Sequence, residues 1–163
     1  MTNPQATSES VLALFANEGH RFSARNLATA AHRAAKFRRD HRDLRRDWRM
    51  TALADTSRSR LAEFNCQELA NTAWAFATAG VEAHAFFKAI ADAARSRLGN
   101  FNSQAIANLA WAFATARVEA RALFNAIADA ARSQLGKFNS QELANTSWAF
   151  ASARFVARYL FNQ

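Results

Sequence analysis

The sequence predicts an all-α protein, a right-handed α-solenoid of helix pairs that repeat every 37 residues. Three segments align without gaps from Phe64, Phe101 and Phe138, and each start lies 37 residues after the one before it. Hydrophobic residues make up 50% of the 163 positions, with one Pro and four Gly, which excludes collagen-like, Pro-rich and wholly disordered chains. No alternating strand pattern separates the copies, so the segments between helices are predicted to be short turns.

Each copy is predicted to contain two helices. The first extends from about residue 67 to residue 79, and Asn65 precedes it as an N-cap. Glu68 follows Asn65 by three residues, as in a capping box. The second helix extends over about 82–98, and Gly99 after it is predicted to be a left-handed C-cap.

The copies also define the predicted domain organisation. A degenerate copy opens at Phe22, 42 residues before Phe64, so this first copy carries an insertion. The predicted divisions are a flexible N-terminus at 1–19, a basic degenerate repeat at 20–63, complete repeats at 64–100 and 101–137, and a truncated repeat at 138–163.

The charge of the chain is uneven and positive. Lys and Arg number 21 against 13 Asp and Glu, so the formal net charge is +8, which favours a polyanionic partner. Residues 20–49 contain ten of the basic residues and three of the acidic ones. Phe37, His41, Leu44 and Trp48 recur there at helical spacing and predict one amphipathic helix. Its polar surface is interpreted as a solvated ion-paired face, a phosphate-binding face or a membrane-surface face.

Identical polar and aromatic residues recur on the first helix of each complete copy. The same residue at the same position of every copy indicates one of two roles. These residues either form a ladder of contacts between repeats, or each makes the same contact to one unit of a polymer. A Trp at helical spacing packs in a core, or stacks on a nucleobase when its ring is exposed. These positions are Asn71, Asn108, Asn145, Trp74, Trp111 and Trp148.

The copies differ at two positions, one helical turn apart, on the side of the first helix predicted to lie farthest from the core. If any residues distinguish RNA bases, these are the candidates, and neutral variation at solvent positions is the alternative. The candidate base-facing residues are Glu68, Thr72, Ala105, Leu109, Glu142 and Thr146.

Arginines recur at the repeat pitch just after the first helix, where they are suited to contact successive phosphates. Solvated charge is the alternative interpretation. The candidate backbone contacts are Arg117, Arg121, Arg154 and Arg158, together with Arg38, Arg42, Arg45 and Arg49 of the basic segment.

The segment LANTAWAFATA at 69–79, with its variants that begin at Leu109 and Leu143, resembles the repeats of octotricopeptide-repeat proteins. It is also similar to helical-repeat subunits of the RNA-editing substrate-binding complex. The resemblance covers 64–163 well, although the period of 37 residues is shorter than is usual in that family. It implies a protein that binds single-stranded RNA in a mitochondrion or chloroplast. The implied roles are RNA processing, editing, stability or translation, with other RNA-processing proteins as partners.

No pattern of catalytic residues is present in the sequence. Paired carboxylates, a Gly-rich phosphate loop and a nucleophile motif are missing, so we expect no enzyme activity. Cys66 and the four His do not have the spacing of metal ligands, so no metal or cofactor is expected. The alternative function is a helical scaffold that binds proteins without direct RNA contact.

Two further expectations concern the ends of the chain and membranes. The N-terminus contains no clear targeting segment, and no stretch is apolar enough to be inserted in a membrane. The truncated repeat at 138–163 is expected to expose apolar residues, through which the chain is predicted to self-associate.

Overall fold

The computed structural model describes residues 7–37 and 43–153, and every regular element in these ranges is helical. The predicted all-α class is therefore confirmed for this part of the chain. Its α-helices are α1 (Ser8–Glu18), α2 (Ala24–Lys36), α3 (Trp48–Arg58), α4 (Cys66–Ala79), α5 (His84–Arg95), α6 (Ser103–Ala116), α7 (Arg121–Ser133) and α8 (Ser140–Ser152).

The helices pack in two rows. The first helices are α2, α4, α6 and α8, and each packs against the next member of its row. The second helices are α3, α5 and α7, which pack in the same order beside them. Helix α1 packs against α2 and α3. A first helix such as α4 therefore has a neighbour of its own row on both sides.

The N-terminal part of the chain differs from the expectation. Residues 8–18 form α1, so the prediction of a flexible segment over 1–19 is wrong for them. Thr7 and Ser10 form a capping box at its start, and Leu12 and Phe15 are buried. The hydroxyl of Ser8 donates a 2.8 Å hydrogen bond to the carbonyl of Ala34 in α2, which attaches α1 to the first row.

The predicted N-caps at the starts of the first helices are confirmed. The side chain of Asn65 accepts a hydrogen bond from the backbone N–H of Glu68 at 2.8 Å, and Glu68 accepts one from the N–H of Asn65 at 2.9 Å. Asn139 and Glu142 repeat this capping box in α8. In α6 the equivalent Asn102 accepts from the N–H of residue 105, an Ala that supplies no return bond.

The predicted left-handed glycine is at the wrong end of the helix pair. Gly99 lies inside a 3₁₀ turn, Leu98–Asn100, that leads into the next first helix. Within the described ranges the residues with positive φ are Gly80 (φ 68°) and Arg117 (φ 55°), which follow α4 and α6. The sequence shows Gly near both helix ends, so the pattern alone does not determine which end needs left-handed backbone.

The basic segment does not form the single helix predicted from its apolar stripe. Helix α2 ends at Lys36, a 3₁₀ turn follows at Leu44–Arg46, and α3 begins at Trp48. His41 lies outside the described residues. The connection between α2 and α3 is longer than the four residues 80–83 between α4 and α5, so the insertion of the first copy lies there.

A hydrogen bond that the sequence did not reveal joins the end of each helix pair to its beginning. The donor follows the second helix, and the acceptor is the carbonyl of the Phe that precedes the first helix. The guanidinium of Arg97, beyond α5, donates to the carbonyl of Phe64, before α4, at 2.8 Å. One repeat later, Gln134 donates to the carbonyl of Phe101 at 2.9 Å. Arg60 makes the equivalent bond to Phe22. These polar side chains close each helix pair, so Arg60 and Arg97 have structural roles.

The core between the rows is aromatic. Phe87 of α5 and Phe113 of α6 meet edge to face with ring centroids 5.2 Å apart. Phe124 of α7 and Phe150 of α8 repeat this contact at the same distance one repeat later. Such pairs add about 0.5–1.5 kcal/mol to the effect of burial alone. They hold each second helix against the first helix that follows it.

Candidate functional site

One aromatic ring from each first helix contributes to a row that crosses the repeats. We call His32, Trp74, Trp111 and Trp148 the aromatic row. The centroids of Trp74 and Trp111 are 6.4 Å apart, and those of Trp111 and Trp148 are 6.5 Å apart, with the planes inclined by 33° in both pairs. The imidazole of His32 lies 5.3 Å from Trp74. The same ring contact therefore joins Trp74 to Trp111 and Trp111 to Trp148, the equivalent residues of successive copies.

The rings of this row are not fully buried. Trp74 and Trp111 are half-buried, and Trp148 is 48% exposed. The rings pack between neighbouring first helices, as the core interpretation expects, and they also leave aromatic surface in contact with solvent. Stacking of a nucleobase needs an exposed ring face, and Trp148 offers the largest such surface in the row.

The repeated amides lie next to the aromatic row. In α4, Gln67 donates a 2.9 Å hydrogen bond to the side-chain oxygen of Asn71. This bond joins two turns of one helix, so it is not the bond between repeats that the ladder interpretation expects. Asn71, Asn108 and Asn145 are all half-buried. A polar contact from these positions to a polymer remains a prediction.

The candidate base-facing positions do not lie on a free face, and that part of the prediction is wrong. Thr72, Ala105 and Leu109 are at most 1% exposed. The hydroxyl of Thr72 donates to the carbonyl of Glu68 within α4 at 2.6 Å. The other candidates are half-buried: Glu68, Glu142 and Thr146.

The arrangement of the first helices explains this error. A projection of one helix assumes a single core side and a free side opposite to it. In the structure α4 lies between α2 and α6, and α6 lies between α4 and α8, so two opposite sides of each helix are covered. The solvent-facing surface is instead the side that carries the aromatic row and the amides.

Arg117 and Arg121 are both exposed and mark the connection between α6 and α7. Arg117 ends α6 with left-handed backbone at φ 55°. Arg121 is the first residue of α7, whose N-cap Ala120 makes no side-chain hydrogen bond. The first backbone N–H groups of a helix and its dipole favour an anion. Arg121 therefore lies at a helix start that favours an anion, whereas Arg117 lies at the C-terminal end of α6, where the helix dipole favours a cation.

Arg117 and Arg121 line one groove with the exposed ring of Trp148. The groove has a volume of about 990 Å³. Glu119 lines it as well, so the charged side chains among its described lining residues sum to +1 at neutral pH. The groove is suited to hold an anion beside an aromatic ring.

The same groove exists one repeat earlier, in a smaller form of about 130 Å³. Gly80 and His84 occupy the positions of the two arginines there. Val118 of the next repeat lines the smaller groove, and its equivalent Phe155 lies outside the described residues. The groove is thus a property of the repeat, whereas its positive charge belongs to the later copy.

The arginines of the basic segment have different surroundings. Arg49 is buried, and its guanidinium donates two 2.9 Å hydrogen bonds to Glu9 and two to Asp47, at 3.0 and 2.7 Å. Its interpretation as an RNA contact is wrong, since these carboxylates already occupy it. Arg45 is exposed and pairs with Asp43 at 3.1 Å, and this hydrogen bond lowers the pKa of the Asp43 carboxyl. Four more candidates lie outside the described residues: Arg38, Arg42, Arg154 and Arg158.

The described residues thus define an all-α protein of paired helices with an aromatic row and a basic groove. A search against protein-family models and against curated proteins finds no match to the chain. Over the ranges 7–37 and 43–153, no helix has the length and apolar character needed to cross a membrane. The same ranges bring together no group of His, Cys, Asp and Glu suited to hold a metal ion.

Proposed function

We propose that this protein is an RNA-binding, right-handed α-solenoid with a period of 37 residues, which binds single-stranded RNA along its first helices. The observation that carries the proposal is the groove in which Arg117, Arg121 and the exposed ring of Trp148 meet. A phosphate fits between guanidinium groups, and a base fits on an indole face. The net charge of +8 supports the same partner.

The backbone of Arg117 gives this proposal a second support. A left-handed conformation costs a non-glycine residue about 1–2 kcal/mol, and the equivalent position one repeat earlier is Gly80. An arginine at this position therefore lowers the stability of the fold relative to a glycine. Such costs concentrate at functional sites, which favours a role for the Arg117 side chain outside the fold.

The exposed side of the first helices favours weak sequence preference. Its residues are the same in each complete copy: Trp74 and Asn71 recur as Trp111 and Asn108. Identical contacts do not distinguish one base from another, so the RNA is held by stacking and charge. Even four units that each read one base would separate only about 256 sequences.

The roles in RNA processing, editing, stability or translation, and the location in a mitochondrion or chloroplast, are proposals that rest on the resemblance of the repeats. We also propose that the chain is not an enzyme, and that other RNA-processing proteins assemble with it. The competing function is a protein-binding scaffold, which needs neither a basic groove nor a response to salt.

The test compares RNA affinity across salt concentrations for charge variants of the groove. Arg117→Ala with Arg121→Ala is expected to weaken binding of single-stranded RNA and to reduce the slope of log affinity against log salt by about 1.4, at about 0.7 per phosphate contact. Glu119→Gln is expected to strengthen binding, because it removes the negative charge of the groove.

The control removes the same charge elsewhere. Arg95 and Lys137 are exposed; Arg95 is the last residue of α5, and Lys137 lies in the 3₁₀ turn beyond α7. Replacing both by Ala matches the loss of two positive charges and is expected to change affinity less than the groove variant does. Equal losses from both double variants would mean nonspecific attraction. Unchanged affinity in the groove variant would contradict the proposal and favour the scaffold.

A further inference from the structure

Helix α2 carries a stripe of positive charge beside the aromatic row. We call Arg25, Arg33 and Lys36 the basic stripe. All three residues are exposed, and their helical spacing places them on the same side of α2 as the half-buried ring of His32. At a rise of about 1.5 Å per residue, Arg25 lies about 10 Å before His32 along the helix and Lys36 about 6 Å after it. The basic stripe therefore crosses the aromatic row at His32.

The complete copies have uncharged residues where α2 has the basic stripe. Their residues at these three positions of α4 and α6 are Gln67, Ala75, Thr78, Gln104, Ala112 and Thr115. The degenerate copy thus differs from the others by three positive charges on one side of one helix. The packing between repeats needs no charge at these positions, because the complete copies pack without it. The difference points to a contact with an anion outside the fold.

The charges of the basic stripe are accessible to a ligand. Among the described residues, its ion pair is the one between Arg25 and Glu68 at 3.7 Å, which leaves the side chain of Arg25 81% exposed. An exposed pair of this kind contributes little to stability, so the guanidinium remains able to contact a phosphate. Burial lowers the pKa of the His32 imidazole, and the charges of Lys36 and Arg33 lower it further. These two charges therefore lie close to the aromatic row.

We infer that the basic stripe binds the phosphate backbone of the same RNA strand whose bases stack on the aromatic row. This inference rests on the proposed function and adds a second place at which the strand is held. The positive groups on both sides of His32 contact the phosphates that flank a base at Trp74. The indole of Trp74 favours RNA over an acidic protein as the ligand, because its ring offers a stacking surface to a base.

The inferred strand crosses all four first helices. Neighbouring rings of the aromatic row are 5.3, 6.4 and 6.5 Å apart, so the row spans about 18 Å, or about five nucleotides at about 3.4 Å each in a stacked strand. At Trp148 the row reaches the groove of Arg117 and Arg121. A strand of about six nucleotides therefore meets positive charge near both of its ends and uncharged stacking positions between them.

The first experiment gives α2 the residues of α4, in a stripe variant with Arg25→Gln, Arg33→Ala and Lys36→Thr. Binding of a single-stranded oligoadenylate of about 12 nucleotides is measured across salt concentrations. The stripe variant is expected to bind more weakly and to reduce the slope of log affinity against log salt by about 2, at about 0.7 per phosphate contact. A second variant keeps the charges, with Arg25→Lys, Arg33→Lys and Lys36→Arg, and is expected to retain the wild-type slope.

The matched control removes three positive charges from exposed positions of the second row. Lys88 and Arg95 lie on α5 and Lys137 lies beyond α7, and all three are replaced by Ala. A wild type that does not bind RNA would overturn the proposed function and this inference with it. A wild type that binds, with equal losses in the stripe variant and the control, would overturn the inference alone. Polyglutamate that binds as tightly as RNA, and more weakly to the stripe variant, would assign the stripe to an acidic protein and also overturn it.

The second experiment tests whether one strand contacts both ends of the aromatic row. RNAs of about six nucleotides carry 4-thiouridine at the 5′ or the 3′ end and are photocrosslinked to the full chain. The expected result is that one end crosslinks to α2 and the other end to α8. Equal crosslinking of each end to both helices, or a titration that shows two strands bound to each chain, would mean separate sites and overturn the inference.

Discussion

The imidazole of His32 packs against the indole of Trp74 with ring centroids 5.3 Å apart, in the place that an indole takes in the later repeats. His32 is half-buried in α2, and burial lowers the pKa of its imidazole, with a further lowering by the charges of Lys36 and Arg33. The degenerate first copy therefore contributes to the aromatic row through a ring whose pKa lies below its ordinary value.

This titration predicts a pH dependence of stability. The imidazole of His32 has a lower pKa in the folded chain than in the unfolded chain, where its ordinary value is 6.5. As pH decreases from 7 towards 5, the unfolded chain therefore binds a proton at His32 before the folded chain does. The free energy of unfolding falls over this range as a result. His32→Phe keeps a ring and removes the titration, so its slope over this range is expected to be smaller than that of the wild type. Denaturant unfolding at several pH values measures the slopes. His20→Gln, at an exposed position, is the control, and equal slopes in wild type and His32→Phe would contradict the prediction.

Arg117→Gly is expected to stabilise the fold and to weaken RNA binding. Glycine adopts φ 55° without strain, so the free energy of unfolding should rise by about 1 kcal/mol, as measured by denaturant unfolding. Arg117→Ala removes the same side chain but keeps the left-handed cost, so it should weaken RNA binding without the gain. If Arg117→Gly were no more stable than Arg117→Ala, the backbone argument would fail.

Arg49→Ala is expected to destabilise the chain by about 2 kcal/mol and to leave the RNA affinity of the folded protein unchanged. The change leaves the nearly buried carboxylate of Asp47 without its guanidinium partner and breaks the link to Glu9 on α1. Thermal or denaturant unfolding measures the loss. Arg45→Ala is the control, because Arg45 and Asp43 form an exposed pair that contributes little. If Arg49→Ala instead weakened RNA binding as much as the loss of one phosphate contact does, Arg49 would be an RNA contact and the prediction would be wrong.

The local signals of the sequence were sufficient for the first helices of the complete copies and their starts. Asn65 and Glu68 form the predicted capping box because both partners lie within one turn, and short-range hydrogen bonds depend little on the rest of the fold. The alignment of His32 with the Trp positions is likewise matched by its contact to Trp74. Features determined within a few residues, or by the repeat itself, could be predicted.

Features that depend on neighbours across the array could not be predicted in the same way. Leu109 and Thr72 are buried because a second first helix covers their side of α6 and α4, which the projection of one helix does not show. The role of Arg97 depends on a carbonyl 33 residues away, and an arginine in sequence does not reveal whether it is structural or free. For the same reason, the sequence does not distinguish Arg49, which pairs with Glu9 and Asp47, from an arginine that is free to contact RNA.

The last prediction tests which side of the first helices contacts RNA. On the sequence interpretation, replacing Ala105 and Leu109 by the Glu and Thr of the neighbouring copies shifts base preference. Leu109 is 0% exposed in α6, so Leu109→Thr is expected instead to lower the free energy of unfolding by about 2 kcal/mol and to leave base preference unchanged. Asn108→Ala, at the half-buried position beside the aromatic row, is expected to weaken RNA binding with a smaller loss of stability. Denaturant unfolding and binding to a set of single-stranded RNAs measure both effects for each variant. The prediction would be wrong if Leu109→Thr changed base preference and Asn108→Ala left affinity unaltered. RNA would then contact the side of the first helices that carries Leu109.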